Sequence, residues 1–117
     1  DSNSELKAVA LVSRGHTYRY QGKSDDARQC YFEAQSMFKI LQLVESVNYA
    51  VVLSSIAGTY EIEGQPEKAE KHLLQAKAVF EAVGDKSEEY ASNLKALGVI
   101  YNDLQDREAA VRSYLEA

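Results

Sequence analysis

The 117-residue chain holds one cysteine, one proline, six glycines and no tryptophan. A lone cysteine excludes an intramolecular disulfide and any zinc site built on several thiolates. So little proline and glycine leaves too few tight turns for a sandwich or barrel. Long apolar runs are also missing. The longest, Ala8-Val-Ala-Leu-Val12 and Tyr49-Ala-Val-Val-Leu53, are far short of the roughly 20 residues that cross a bilayer. Positive charge is in deficit, with 13 Lys and Arg against 18 Asp and Glu and a net charge of −5, which argues against a nucleic-acid partner. The opening Asp1-Ser-Asn-Ser-Glu5 shows no basic stretch followed by an apolar one, so no signal peptide is expected. With 45% hydrophobic and 26% charged residues, the composition is that of an ordinary globular domain.

Internal repetition organises the chain. A shift of 42 residues superposes Ala8 on Ala50, Leu11 on Leu53, Tyr18 on Tyr60, Gly22 on Gly64, Ala27 on Ala69, Ala34 on Ala76 and Phe38 on Phe80. A further shift of 41 reaches Ala91, Leu94, Tyr101, Ala110 and Ala117, and the position of Gly15 holds Ala57 and then Gly98. Matches this numerous in one register mark three repeat units: 8–49, 50–90 and 91–117, within a single domain spanning 1–117. The third unit is shorter than the others and is expected to be incomplete.

Each unit reads as two helices. Ala8, Leu11, Gly15 and Tyr18 recur at steps of 3, 4 and 3, and Ala27, Tyr31, Ala34, Phe38 and Leu41 at steps of 4, 3, 4 and 3; both spacings trace one helical face. Breaks are expected at Gln21-Gly22-Lys23-Ser24 and at Gly64-Gln65-Pro66, with glycine ending one helix and proline opening the next. Ser24 is expected to cap its own helix, and Asp85 with Glu88 to form a reciprocal cap for the next. Small residues at 15, 57 and 98 and at 27, 69 and 110 let paired helices approach closely. Leu11, Leu53 and Leu94 complete the apolar layer. Tyr18, Tyr31, Tyr49, Tyr60, Tyr101 and Tyr114 fall at positions expected to be buried, so they are read as core and not as base-stacking platforms.

The pattern resembles the tetratricopeptide repeat family. The residues that carry it are Leu94, Leu97-Gly98, Tyr101, Ala110, Tyr114 and Ala117, with parallel sets in the first two units. The repeat is 41–42 residues long where the family commonly has 34, as in its longer-repeat branch. No proline closes the second helix, where Lys39 and Glu81 stand, and Arg14 replaces the leucine before the first-unit glycine. The resemblance implies an all-α fold, an α-solenoid of three antiparallel helix pairs in a right-handed superhelix. It also implies a concave face formed by the first helix of each pair.

On that face the resemblance places Val9, Val12, His16, Arg19 and Tyr20 in unit one, and Val51, Ser54, Gly58, Glu61 and Ile62 in unit two. Unit three contributes Ser92, Lys95, Val99, Asn102 and Asp103. The implied function is a non-enzymatic protein–protein interaction scaffold. It would bind a peptide or amphipathic helix in the groove and need no cofactor or metal; with no signal, no membrane segment and one unpaired thiol, a cytoplasmic setting is expected. Val12 and His16 stand where chaperone-binding relatives carry a carboxylate clamp, so that clamp is not expected. Val9, Val12 and Val51 could equally pack against adjacent helices. Two other readings stay open: a ligand- or peptide-sensing segment of a larger signalling protein, and a self-assembly domain acting through the ends of the stack.

No catalytic constellation emerges. Cys30 and His72 share one repeat position, and a thiolate–imidazole pair would require them to meet. The acidic clusters at Asp25-Asp26, Glu67/Glu70 and Glu88-Glu89 fall near helix starts, where the helix dipole favours them.

Overall fold

The computed structural model describes residues 2–116, with the side chains of 3–113 and of Leu115. Five helices follow one another: α1 (Ser2–Tyr20), α2 (Ser24–Ile40), α3 (Val47–Ile62), α4 (Pro66–Val83) and α5 (Glu88–Glu116). No strand occurs among the described residues. Helices α1 with α2 and α3 with α4 form antiparallel pairs, and α5 packs on α4. The result is an elongated all-α stack of 60 × 32 × 22 Å.

The turns after α1, α3 and α4 are set by glycine. Gly22, Gly64 and Gly84 have φ of 76, 73 and 70°, the left-handed conformation that glycine reaches without a Cβ penalty. Each closes a helix with two tightening bonds. At the first, Lys23 N donates to Tyr18 O (2.9 Å) and Gly22 N to Arg19 O (3.0 Å); at the second, Gln65 N donates to Tyr60 O (2.9 Å). These turns are so short that Lys23 and Gln65 are also the N-cap residues of the following helices. Ser24 is therefore already the first residue of α2, and no side chain caps that helix, contrary to expectation. Nor does Asp85 cap α5. Its carboxylate accepts from Ser87 N (2.8 Å) in the turn before the helix starts at Glu88, and the Ser87 side chain first, with its backbone N–H second, lowers the Asp85 pKa. Ser46, which the repeat did not single out, caps α3 by accepting from Tyr49 N (3.2 Å).

The repeat register places the core well in the first two units. Ala8, Ala27, Tyr31, Ala34, Phe38, Ala50, Ala57, Ala69, Ala76 and Phe80 are all fully buried. Gly15 lies against the Tyr31 ring so closely that a Cβ there would stand 2.5 Å from Tyr31 Cε1. The equivalent pair in unit two is Ala57 and Leu73, both in one core cluster. A narrower side chain on the second helix leaves room for a methyl on the first. Arg14 is exposed, as its polarity required.

The third unit departs from the expected helix pair. Helix α5 runs unbroken for 29 residues, about 43 Å at the α-helical rise. The residue in register with Gly22 and Gly64 is Gln105. Without glycine, nothing there favours the left-handed turn, and the helix continues. Leu94 and Tyr101, expected in the apolar layer, are 39% and 47% exposed, and Gly98 and Ala110 are exposed too. Their repeat equivalents are covered by the second helix of a pair, and here none covers them. The Tyr114 side chain and Ala117 lie outside the described residues.

Candidate functional site

Helices α1, α3 and α5 supply the face on which the groove residues were expected. Arg19 is its organising side chain. From the last turn of α1 its guanidinium lies flat on α3, where a Cβ on Gly58 would stand 2.4 Å from the Arg19 terminal nitrogen. Glycine at 58 is what allows that approach. Tyr31, buried beneath, links to His16, whose Nδ1 lies 2.7 Å from the hydroxyl, and burial raises the Tyr31 pKa.

Arg19 borders two concavities. One, of about 380 Å³, is also lined by Val51, Ser54, Gly58 and Glu61 of α3 and by Glu88, Glu89, Ser92, Asn93 and Ala96 of α5, over Leu73 and Phe80 of α4. The other, of about 440 Å³, is lined by His16, Arg19, Tyr20 and Ile62. Nine of the expected groove residues thus border one of these two concavities: His16, Arg19, Tyr20, Val51, Ser54, Gly58, Glu61, Ile62 and Ser92. Val9, Val12, Lys95, Val99 and Asn102 line neither of these two. Val12 and Val51 are half-buried and pack against the core, whereas Val9 is 37%, Tyr20 95% and Ile62 63% exposed. Lys95, Val99 and Asn102 are exposed on α5. Asp103 joins Glu61 at a further concavity toward the C-terminal half of α5.

One residue of this region escaped the sequence reading. Asn93 is only 2% exposed. It accepts from Ser54 Oγ (2.6 Å) and donates from Nδ2 to the Leu73 carbonyl (3.1 Å), tying α5 to both helices of the second pair. The available signal was its register with the apolar Val52 of unit two. A polar residue on an amphipathic helix ordinarily faces water, so that signal is weak.

Electrostatics distinguishes the two ends of the face. Burial, with the Coulombic effect of Arg19 added, lowers the His16 pKa below its ordinary value of 6.5. Burial raises the Glu61 pKa; Arg19 opposes that and Asp103 adds to it. The folded-state pKa of His16 is depressed, so the unfolded chain takes up the proton first. The stabilisation is complete above about pH 6.5 and is lost as pH falls below it. Glu61 acts oppositely, strengthening the fold as pH falls through its raised pKa. Denaturant melts of the wild type and His16→Gln at neutral and mildly acidic pH separate the two. The wild type should lose more stability on acidification than the variant does.

Cys30 and His72, which share a repeat position, make no contact with each other. His72 Nδ1 lies 3.0 Å from the Lys68 carbonyl, and its ring packs on Tyr60 and Phe32 at 5.5 and 6.5 Å. Cys30 is buried, and burial followed by Glu33 raises its thiol pKa, which makes it a poor nucleophile. No group of three or more potential metal ligands converges among the described residues. Nor is any helix among them long and apolar enough to cross a membrane.

The sequence profile described as Tetratricopeptide repeat matches residues 48–117. The match covers more than half of the chain, which therefore belongs to the tetratricopeptide repeat family. Proteins of this family are in general protein–protein interaction modules and bind protein partners. No curated protein gives a significant match to the chain.

Proposed function

We propose that the chain is a non-catalytic scaffold that binds a peptide or amphipathic helix along the concave face of α1, α3 and α5. The observation that carries this reading is the run of concavities joined by Arg19, with large apolar side chains, Tyr20 and Ile62, left exposed at its edge. Exposed aromatic and aliphatic anchors beside a preformed hollow are what a binding surface requires. The helices are already in place, so little ordering of the scaffold opposes binding. Acidic groups on the same face disfavour phosphate backbones. A cytoplasmic setting fits the unpaired Cys30.

The test uses peptides selected on the immobilised protein from a random library. Tyr20→Asp combined with Ile62→Asp should weaken the selected peptides about tenfold or more, equivalent to about 1.4 kcal/mol. The helical circular-dichroism signal should remain. Ile40→Asp, at an exposed position on α2, serves as the control and should leave binding unchanged. Equal binding by all three proteins would remove the groove from consideration.

A further inference from the structure

The acidic groups of the concave face are unevenly placed, and their placement bears on the partner. Between α3 and α5 the hollow of about 380 Å³ is rimmed by Glu61, Glu88 and Glu89. The neighbouring one, of about 350 Å³, shares Glu61 and adds Asp103 and Asp106. Among the described residues none of these five carboxylates is held in an ion pair, whereas Arg107, the cation beside them, is paired with Glu67 at 3.0 Å. Local helix chemistry explains only part of the set. Glu88 and Glu89 open α5, where the dipole favours negative charge. Glu61 stands in the last turn of α3, where the same dipole opposes it. Asp103 and Asp106 lie within α5, far from either dipole end. Burial and Asp103 both disfavour ionisation of Glu61, and Arg19 only partly offsets them. On the other side of Arg19 the face turns apolar, with Tyr20 and Ile62.

We infer that the occupant of this groove is a basic amphipathic helix. Its apolar stripe lies on Tyr20 and Ile62, one lysine or arginine is seated between α3 and α5 beside Glu61 and Asp103, and a second reaches Glu88 and Glu89 in the first turn of α5. The inference rests on the groove reading above and specifies the partner's chemistry. An incoming cation gains from carboxylates whose charge no ion pair neutralises, in a hollow partly screened from water. An acidic segment would add like charge to the same place, where the lining cations are Arg19 and Arg107, the latter already paired with Glu67.

Two synthetic amphipathic peptides with the same leucine face, one carrying lysine and the other glutamate on its polar face, are the probes. By fluorescence anisotropy the lysine peptide should bind about tenfold or more tighter than the glutamate peptide. Glu61→Gln with Asp103→Asn should reduce that binding about tenfold. Glu33→Gln with Glu45→Gln removes the same two charges from exposed positions outside these hollows and should change it less than about twofold. Equal losses in the two double variants would mean that the acidic chain attracts the peptide without a site, and would overturn the inference. Equal binding of the two peptides, abolished by Tyr20→Asp with Ile62→Asp, would also overturn it and leave the groove reading standing. Binding of neither peptide would count against both. Gln and Asn preserve side-chain size, and circular dichroism verifies the fold of each variant.

Discussion

Gly15→Ala is expected to destabilise the chain even though alanine is the better helix former. The new Cβ would lie 2.5 Å from Cε1 and 2.8 Å from Cδ1 of Tyr31, a fully buried ring that has no free space to enter. Overpacking of this kind costs about 1–3 kcal/mol, and the gain in helix propensity offsets at most about 1 kcal/mol. A net loss of up to about 2 kcal/mol should lower the melting temperature by up to several degrees. The second unit supplies the compensating change, because there Ala57 accompanies Leu73. In a Tyr31→Leu background, Gly15→Ala should therefore be neutral or stabilising. That background carries its own losses, of ring volume and of the hydroxyl bonded to His16. The sign reversal is the expected result, read by thermal and urea denaturation of the four proteins. A Gly15→Ala penalty of the same size in both backgrounds would show that the ring does not cause it.

Asn93→Asp should have the larger effect, costing about 3 kcal/mol or more at neutral pH. The Leu73 carbonyl can only accept, so the amide nitrogen of Asn93 must face it, and the oxygen must face Ser54. Aspartate replaces the donor with a buried negative oxygen aimed at a carbonyl. Protonation would restore a donor, so the folded-state pKa of the new carboxyl should lie above its unfolded value. The penalty should accordingly be full above that raised pKa and shrink as pH falls through it. Urea melts of wild type and variant across the acidic range would show the two converging. A penalty independent of pH would place the fault in packing and not in the charge.

How much of this was legible depended on whether a feature is local, repeated or made by distant helices. The alanines at 8, 27, 34, 50, 57, 69 and 76 are fully buried because both the helical period and the repeat impose the same face. Caps were less legible. Ser24 and Asp85 were assigned by residue type, but the glycine turns are so tight that the helix boundaries fall a residue or more away. The third unit carries the alanine and tyrosine signature of a second helix, yet lacks the glycine that would start one. The signature describes what a helix can pack against, whereas the turn requires φ > 0 at a particular residue. Pattern on one strip of α5 could not show that nothing covers it.

For the candidate site, the face of each first helix was legible from the same period. What it becomes was not. Gly58 reads in sequence as one more small groove position, and only the approach of α1 to α3 makes it the bed for Arg19. Val12 and Val51 were ambiguous between groove and core, and they pack against the core. Asn93 has a polar side chain at a buried place, and its two partners are 39 and 20 residues away in sequence. No local pattern reports such a contact.

The most direct measurement of the central claim is a backbone amide chemical-shift map of the isotopically labelled protein titrated with the lysine-faced amphipathic peptide. The account predicts saturable shifts confined to Arg19, Tyr20, Gly58, Glu61, Ile62, Ser92 and their neighbours on α1, α3 and α5, with α2 unaffected. Shifts concentrated on α2, or on Leu94, Gly98 and Tyr101 at the uncovered side of α5, would contradict it.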